Sequence, residues 1–234
     1  LVADNTFASP FCQRPLASGV DFTCYSLTKS IGGFGTVMGG ATVTMNRHHL
    51  IVGNMIQHRK DTGGSLSPPN AWHILVYGIS TLPLRMRRMQ ENAMEVARYL
   101  QNHPKVRSVA YPGLESFRQR ELAARQMIDY EGNFAPGNMI YFEPDADKPE
   151  DRKTIASKWM DSIAKSAYAI TLAVSLGQIR TLVEHPAGMT HAVVDDSDKQ
   201  LGHIDPGGIR LSVGIEHIDD IIADIDQALK KAVS

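Results

Sequence analysis

The sequence has little of what marks secreted, membrane-spanning or nucleic-acid-binding proteins. It contains two cysteines, Cys12 and Cys24, which are too few for a disulfide framework and indicate a reduced, cytoplasmic protein with structural thiols. No uninterrupted apolar run is long enough to span a bilayer. The net charge of −1 lacks the excess of one sign that nucleic acid or an anionic membrane surface demands. We therefore expect neither nucleic acid nor a membrane among its partners.

The composition is that of an ordinary globular protein, with 43% hydrophobic and 21% charged residues in a chain of 234. This length suits one large domain or two smaller ones. The first residues, Leu1-Val2-Ala3, read like the middle of a buried strand, and no initiator methionine precedes them. We expect that an upstream part of the protein is missing from this chain.

Strand and helix patterns alternate along the chain without an internal repeat. Short β-prone runs predict strands at residues 1–3, 22–25, 37–45, 106–113, 139–142, 169–176 and 208–214. Apolar residues at helical spacing predict helices at residues 50–59, 84–100, 117–130, 151–163 and 218–229, and the proline-containing residues 7–15 are predicted as a loop. The mixture predicts an α/β first part and an α+β second part, divided near residues 75–83 into domains of residues 1–79 and 80–234.

The stretch "SLTKSIGGFG" surrounds Lys29 with hydroxyls on one side and glycines on the other. A partly desolvated lysine amine is a nucleophile toward an aldehyde, such as that of pyridoxal phosphate. This cofactor also needs an acid that keeps its ring nitrogen protonated, and hydroxyls or backbone N–H groups that hold its phosphate. Asp4 ends a predicted strand, so that two adjacent strands can bring Asp4 and Lys29 to one crevice. A solvated lysine and an ordinary turn carboxylate remain alternatives at this point.

The glycines after Lys29 do not match two common phosphate-binding motifs. Gly33-Phe34-Gly35 lacks the third glycine of the dinucleotide fingerprint at the required spacing. No Gly-Lys-Ser or Gly-Lys-Thr follows, as a P-loop would require. Room for close backbone approach is the property that the glycines supply.

Four separated segments, in the right order, resemble the Cys/Met-metabolism family of pyridoxal-phosphate enzymes. They are "DNTFASP" (4–10), "YSLTKSIGGFG" (25–35), "SLGQIRTLVEHPAGMTH" (175–191) and "RLSVGIEHIDD" (210–220). In addition, "STLPLRMRRMQENA" (80–93) is similar to the connecting helix of that family. The resemblance implies pyridoxal-phosphate fold type I, the aspartate-aminotransferase-like α/β fold. The chain would hold the end of the large cofactor-binding domain and the small C-terminal domain.

The resemblance implies roles for five cofactor-binding residues. Lys29 matches the catalytic lysine that forms a Schiff base with pyridoxal 5'-phosphate, and Asp4 matches the partner of the pyridine nitrogen. Thr6 matches a hydroxyl beside the cofactor ring. Ser26 and Thr28 match ligands of the phosphate.

Two further residues are matched to substrate binding. Ser175 resembles a serine near the substrate and the catalytic lysine. Arg210 resembles the arginine that binds the substrate α-carboxylate, a role that suits the bidentate fork of a guanidinium. No metal is predicted, because His185 and His191 offer too few ligands at an unfavourable spacing.

The resemblance also implies a small amino-acid substrate with a sulfur or activated-homoserine side chain. The family's cystathionine lyases usually carry an acidic residue where this chain has Val174, and a valine suits an uncharged methyl thioether. The segment "RKDTGGSLSP" (59–68) resembles methionine γ-lyases. We therefore expect γ-elimination that gives 2-oxobutyrate, ammonia and a thiol, in a homodimer or homotetramer with shared active sites.

Other functions stay open. A γ-replacement enzyme, such as cystathionine γ-synthase or O-acetylhomoserine sulfhydrylase, uses the same residues. A fold-type-I aminotransferase also uses Asp, Lys and Arg, although "EHPAGMTH" argues against it. An inactive remnant held in an oligomer is a hypothesis of another class. The chain departs from the family pattern, in ways that bear on substrate choice, at Phe34, Thr36, Asn138, Gln178 and Arg180.

Overall fold

The computed structural model of the protein describes residues 1–189 and 205–233. Its strands are β1 (Val2–Asp4), β2 (Phe22–Ser26), β3 (Gly40–Val43), β4 (Val106–Ala110), β5 (Met139–Pro144), β6 (Thr171–Leu172), β7 (Leu182–Glu184) and β8 (Ile209–Ser212). Its α-helices are α1 (Ser9–Cys12), α2 (Leu50–Asp61), α3 (Pro68–His73), α4 (Ser80–Gln101), α5 (Arg120–Gln126), α6 (Pro149–Ser166) and α7 (Ile218–Ala232). Among them, no helix is long and apolar enough to cross a membrane.

The first sheet positions the end of β2. It has three strands in the order β1-β2-β3, with β1 parallel to β2 and β3 antiparallel to it. Because β1 and β2 run in the same direction, their carboxyl ends meet at one edge, where Asp4 is the register partner of Cys24. The chain leaves this edge through a π-helical turn, Leu27–Ile31, which carries Lys29 and is called the lysine turn below.

The second sheet is larger and mostly antiparallel. Its five strands lie in the order β4-β5-β8-β7-β6, with only β6 and β7 parallel among the described neighbours. Helices α6 and α7 pack together, and their apolar faces join the sheet in one core. In that core Trp159 of α6 meets Phe142 of β5 edge-on, with ring centroids 5.8 Å apart.

Helix α4 connects the two cores of the molecule. It continues from α3 through a second π-helical turn, Ile74–Ile79. Its first half gives Leu82, Met86 and Met89 to a cluster that includes Ile31 of the lysine turn. Its second half gives its buried apolar residues to the core of the larger sheet. The domain boundary between residues 79 and 80 stays a prediction, because one helix serves both cores.

The apolar face of α4 differs from the predicted stripe at its start. Leu84 is the first apolar residue of the predicted helix at residues 84–100, and it is 68% exposed. Leu82 and Met86 are buried instead, since a step of two residues moves a side chain to the opposite side of a helix. The helix also begins earlier than predicted, at Ser80, and Pro83 lies inside it, shortly after the π-helical turn Ile74–Ile79.

Three other segments differ from the sequence patterns. The helix predicted at residues 117–130 is confined to α5, because the Asp129 carboxylate accepts the backbone N–H groups of Glu131 and Asn133 and turns the chain back. The loop predicted at residues 7–15 contains the single turn of α1. Of residues 169–176 only β6 pairs, whereas the neighbouring β7 was not predicted.

The larger core should govern the stability of the second sheet. Leu229 of α7 is fully buried, so Leu229→Ala should lower the free energy of unfolding by about 3 kcal/mol through lost burial and a residual cavity. Gln227 is exposed on the same helix, and Gln227→Ala should change it by less than about 0.5 kcal/mol. Urea denaturation of both variants measures the difference, and equal effects would contradict the assignment of this core.

Candidate active site

The candidate site lies at the carboxyl edge of β1 and β2. The turn after β2 is not regular: Lys29 has φ −90° and ψ −132°, which departs from helical values. The turn is closed by the N–H of Gly32 on the carbonyl of Leu27, at 2.8 Å, and by the N–H of Gly33 on the carbonyl of Lys29, at 2.8 Å. This irregular turn leaves the Lys29 side chain half-buried beside a distant segment of the chain.

Ser175 joins the two charged groups of the site. The Lys29 Nζ donates to Ser175 Oγ at 3.1 Å, across 146 residues of sequence. The backbone carbonyl of the same serine accepts from Arg210 Nη2 at 3.0 Å. The structure therefore brings the predicted lysine, serine and arginine together through one residue.

Arg210 is held by a carboxylate that the sequence analysis missed. Its Nη2 lies 2.8 Å from Glu184 Oε2, and Glu184 is 1% exposed. The two residues are antiparallel register partners on β8 and β7. Burial lowers the pKa of Arg210, and the charge of Glu184 opposes that shift. An acidic residue inside the apolar run "LVE" was the one available signal for this partner.

Phe7, which follows the first strand of the first sheet, lies beside the same arginine. Its ring centroid lies 5.8 Å from the guanidinium carbon of Arg210. A guanidinium at this distance from an aromatic ring is attracted by the ring's electron density. Arg210 therefore contacts elements from both sheets.

Asp4 and Ser26 are connected through Thr6. The Thr6 hydroxyl accepts the backbone N–H of Ser26 at 2.8 Å, and the Thr6 N–H donates to Asp4 Oδ1 at 2.9 Å. The hydroxyl and N–H of Thr6 hold the pKa of Asp4 below its ordinary value. Asp4 thus stays ionised at neutral pH and is exposed at the strand end, where it is accessible to a ligand.

Thr28 makes its contacts within the chain. Its hydroxyl accepts the N–H of Gly39 at 3.1 Å and lies 3.4 Å from the carbonyl of Gly39. These contacts fasten the lysine turn to the strand that follows. The assignment of Thr28 as a phosphate ligand stays a prediction.

The segment after Ser175 packs directly on the lysine turn. Gly177 has φ +73°, and a Cβ there would lie 2.5 Å from the backbone nitrogen of Ser30. The N–H of Ile179 donates to the carbonyl of Gly33 at 2.9 Å. Only a glycine allows this approach, which sets Ser175 beside Lys29.

Two of the positions that depart from the family pattern contact a histidine that the sequence analysis missed. Phe34 packs edge-on against His73, with centroids 5.4 Å apart, and Thr36 Oγ1 lies 3.4 Å from His73 Nε2. No sequence signal identified His73, because it lies in a helix some distance along the chain. These contacts border the lysine turn.

The histidines considered for a metal do not form a cluster in the described part of the chain. His185 is buried, and its Nε2 lies 2.6 Å from the carbonyl of Pro206. His191 lies outside the described residues. Within residues 1–189 and 205–233, no group of three histidine, cysteine or acidic side chains is arranged to hold a metal ion.

Comparison with known proteins decides the family. Residues 1–230 match the model of the "Cys/Met metabolism PLP-dependent enzyme" family, in which PLP is pyridoxal 5'-phosphate. The chain belongs to this family. The predicted family, its fold type and its cofactor are thereby confirmed.

The relatives within the family have several names. An L-methionine γ-lyase of Fusobacterium nucleatum is 40% identical over 232 residues, which are 99% of this chain and 54% of that protein. A cystathionine β-lyase of Coxiella burnetii is 39% identical over 228 residues, with 97% and 54% covered. The structure of cystathionine γ-synthase from Xanthomonas oryzae pv. oryzae, in complex with cystathionine, gives a TM-score of 0.83 at 34% identity, with 99% and 55% covered. The chain spans about half the length of the curated relatives it matches.

The residues at the edge of the first sheet fit pyridoxal phosphate. Lys29 offers an amine with a hydroxyl partner, and Asp4 offers an ionised carboxylate whose second oxygen has no backbone contact among the described residues. Ser26 adds a hydroxyl at the end of β2. An amine for the aldehyde, an acid for the ring nitrogen and a hydroxyl for the phosphate are the donor set that this cofactor needs.

The buried ion pair of the site can be tested by its effect on stability. Glu184→Gln keeps the shape but leaves Arg210 without its charged partner, so the free energy of unfolding should fall by about 3 kcal/mol. Glu91 pairs with Arg88 on the surface, at 3.4 Å, and Glu91→Gln should change it by less than about 0.5 kcal/mol. Urea denaturation of both variants is the measurement, and an unchanged free energy of unfolding in Glu184→Gln would contradict the pairing.

Proposed function

We propose that the full-length protein is a pyridoxal-phosphate enzyme that acts at the γ carbon of a sulfur-containing amino acid. The preferred reaction is γ-elimination, in which methionine and water yield 2-oxobutyrate, ammonia and methanethiol. The observation that supports it best is the contact of Lys29 Nζ with Ser175 Oγ, while Ser175 also binds Arg210. This arrangement holds a proton-transferring amine beside a carboxylate-binding group.

Lys29 is the proposed acid–base catalyst. When bound, pyridoxal phosphate supplies an aldehyde for covalent attachment and a ring that accepts an electron pair from the substrate. The Lys29 amine would remove the α proton of the substrate and carry protons to and from its β carbon. The Ser175 hydroxyl, at 3.1 Å, would orient this amine between transfers.

Arg210 would bind the substrate carboxylate. A guanidinium presents paired N–H groups that match the two oxygens of a carboxylate. In the described structure both polar contacts of Arg210, to Glu184 and Ser175, use Nη2. The Nη1 group therefore remains for the substrate, with its orientation fixed by the other two contacts.

Asp4 would hold the ring nitrogen of the cofactor. Its pKa is lowered by Thr6, so the carboxylate remains charged well into the acidic range. A charged carboxylate favours the protonated ring nitrogen, which strengthens the ring as an electron acceptor. Ser26, which is tied to Thr6 through its own N–H, would place its hydroxyl at the phosphate.

Val174 supports the choice of a methionine-like substrate. Its side chain is 55% exposed beside Ser175, and it offers no charge to a distal ammonium group. The similarity to a methionine γ-lyase points the same way. The similarity to a cystathionine γ-synthase keeps γ-replacement as the second candidate, because the two reactions differ only after the elimination step.

The proposal extends to assembly, domains and location. We propose a homodimer or homotetramer with shared active sites, a division of the chain at residues 79 and 80, and a cytoplasmic protein. Cys12, a free cysteine, is buried, and burial raises its pKa to about 12, so this thiol is unreactive in the folded protein. That property suits a structural thiol in a reducing compartment.

The lysine assignment can be tested directly in the full-length protein with pyridoxal phosphate. Borohydride reduction should fix a pyridoxyl group on Lys29, as measured by mass spectrometry of its peptides. Lys29→Ala should lose both the adduct and turnover, whereas Lys165→Ala, in the exposed last turn of α6, should keep both. An adduct on another lysine of the wild-type protein would refute the assignment.

Substrate choice can be tested at Val174. Wild-type enzyme should release 2-oxobutyrate and methanethiol from L-methionine, whereas a γ-replacement enzyme should require an activated homoserine and a thiol. Val174→Glu should shift the ratio of kcat/KM for cystathionine over methionine by about tenfold, because the carboxylate attracts the distal ammonium group. Val174→Leu is the uncharged control. An unchanged ratio in Val174→Glu would show that this position does not select the substrate.

A further inference from the structure

Arg85 of α4 forms hydrogen bonds with the lysine turn. The residue is 5% exposed. Its Nη1 donates to the carbonyl of Ser30 at 2.8 Å, and its Nη2 donates to the carbonyls of Ile31 at 3.2 Å and Gly78 at 2.7 Å. Its Nε donates to Thr81 Oγ1 at 2.9 Å. Two of these carbonyls belong to the residues that directly follow Lys29.

The charge of this guanidinium is met by backbone dipoles. Within the described part of the chain, no carboxylate pairs with Arg85, and the centroid of the neutral Phe34 ring lies 5.5 Å from its guanidinium carbon. Burial lowers the pKa of Arg85 to about 10. A buried charge is costly unless its donors are satisfied, and the four hydrogen bonds of Arg85 both satisfy its donors and fix the direction of its guanidinium.

The backbone around the guanidinium is shaped to admit it. Gly33 has φ +77°, and a Cβ there would lie 2.2 Å from Arg85 Nη1. A Cβ on Gly78 would lie 2.5 Å from the carbonyl oxygen of Ile31. The lysine turn, the second π-helical turn (Ile74–Ile79) and Arg85 therefore pack together with no room for a side chain between them.

We propose that Arg85 is a positioning residue for Lys29. The turn departs from helical geometry at Lys29, so regular helical hydrogen bonds do not fix the direction in which this residue points. Arg85 supplies that constraint by binding the next two carbonyls, and it thereby directs the amine to Ser175. The inference rests on the proposed function of Lys29, and it adds a residue on α4 to the machinery of the site.

The test uses the full-length enzyme with pyridoxal phosphate and the variant Arg85→Lys. A lysine keeps the positive charge but cannot bridge the carbonyls of Ser30, Ile31 and Gly78 with the same geometry. We expect kcat to fall by about tenfold or more, with KM changed by less than about threefold. The pH midpoint of the cofactor's visible absorbance should move by about half a unit or more, because the hydrogen bond of the Lys29 amine has changed.

A matched control separates positioning from stability. Arg152 is also a buried helical arginine, and it donates to the carbonyls of Ala146 and Asp147 and pairs with Asp205 at 2.7 Å. It lies on α6, away from Lys29. Arg152→Lys should lower the thermal midpoint, as Arg85→Lys should. Its kcat should change by less than about twofold, and its absorbance midpoint should move by less than about 0.2 pH units.

A milder variant covers the case in which Arg85→Lys fails to fold. Thr81→Val removes the hydroxyl that binds Arg85 Nε and leaves the arginine in place. It should lower kcat by about twofold to fivefold and move the absorbance midpoint in the same direction as Arg85→Lys. Thr81→Ser, which retains the hydroxyl, should restore both values.

The outcomes distinguish this inference from the proposed function. A wild-type adduct on a lysine other than Lys29 would refute the proposed function. An adduct on Lys29, together with variants that lose thermal stability but keep the wild-type kcat and absorbance midpoint, would overturn the role of Arg85 alone. If Arg85→Lys does not fold, a Thr81→Val variant with the wild-type kcat and absorbance midpoint would likewise overturn the role of Arg85.

Discussion

The site depends on one residue, Ser175, that binds two groups from different parts of the chain. Its hydroxyl accepts from the Lys29 amine, and its carbonyl accepts from the Arg210 guanidinium. Lys29 follows the first sheet and Arg210 belongs to the second, so the contact fixes the distance between the amine proposed to transfer protons and the guanidinium proposed to bind the substrate carboxylate. The fold surrounding Ser175 can be understood as the means of keeping that distance constant, since small displacements of reacting groups are costly in rate.

Close backbone packing maintains this contact on one side. Gly177 lets the segment after Ser175 lie against Ser30 without a side chain between them. Helix α4 supports the turn from the other side and belongs to both apolar cores. A movement of α4 would therefore displace both the lysine turn and the larger sheet, because tightly packed cores transmit displacement.

Buried charges near the site each have a defined partner of a different kind. Glu184 gives Arg210 a carboxylate, and the lysine turn gives Arg85 carbonyl groups. In both arrangements a rigid, planar guanidinium is held by hydrogen bonds from neighbouring elements of the chain. At the exposed edge, Thr6 keeps Asp4 ionised, so the carboxylate that we propose as the partner of the cofactor ring needs no buried cation.

The sequence by itself determined the family, the α/β class and the helix and strand periodicities, because apolar spacing and the Lys29 motif are local properties. It also predicted Asp4 and Lys29 as a pair from the chemistry that the cofactor needs, and Ser175 and Arg210 were added to that pair by resemblance. The tertiary structure decided which of them touch and revealed Glu184 and Arg85, whose partners lie on separate elements of the chain. Local patterns cannot give such contacts, since a buried ion and its hydrogen bonds arise only when distant segments pack together.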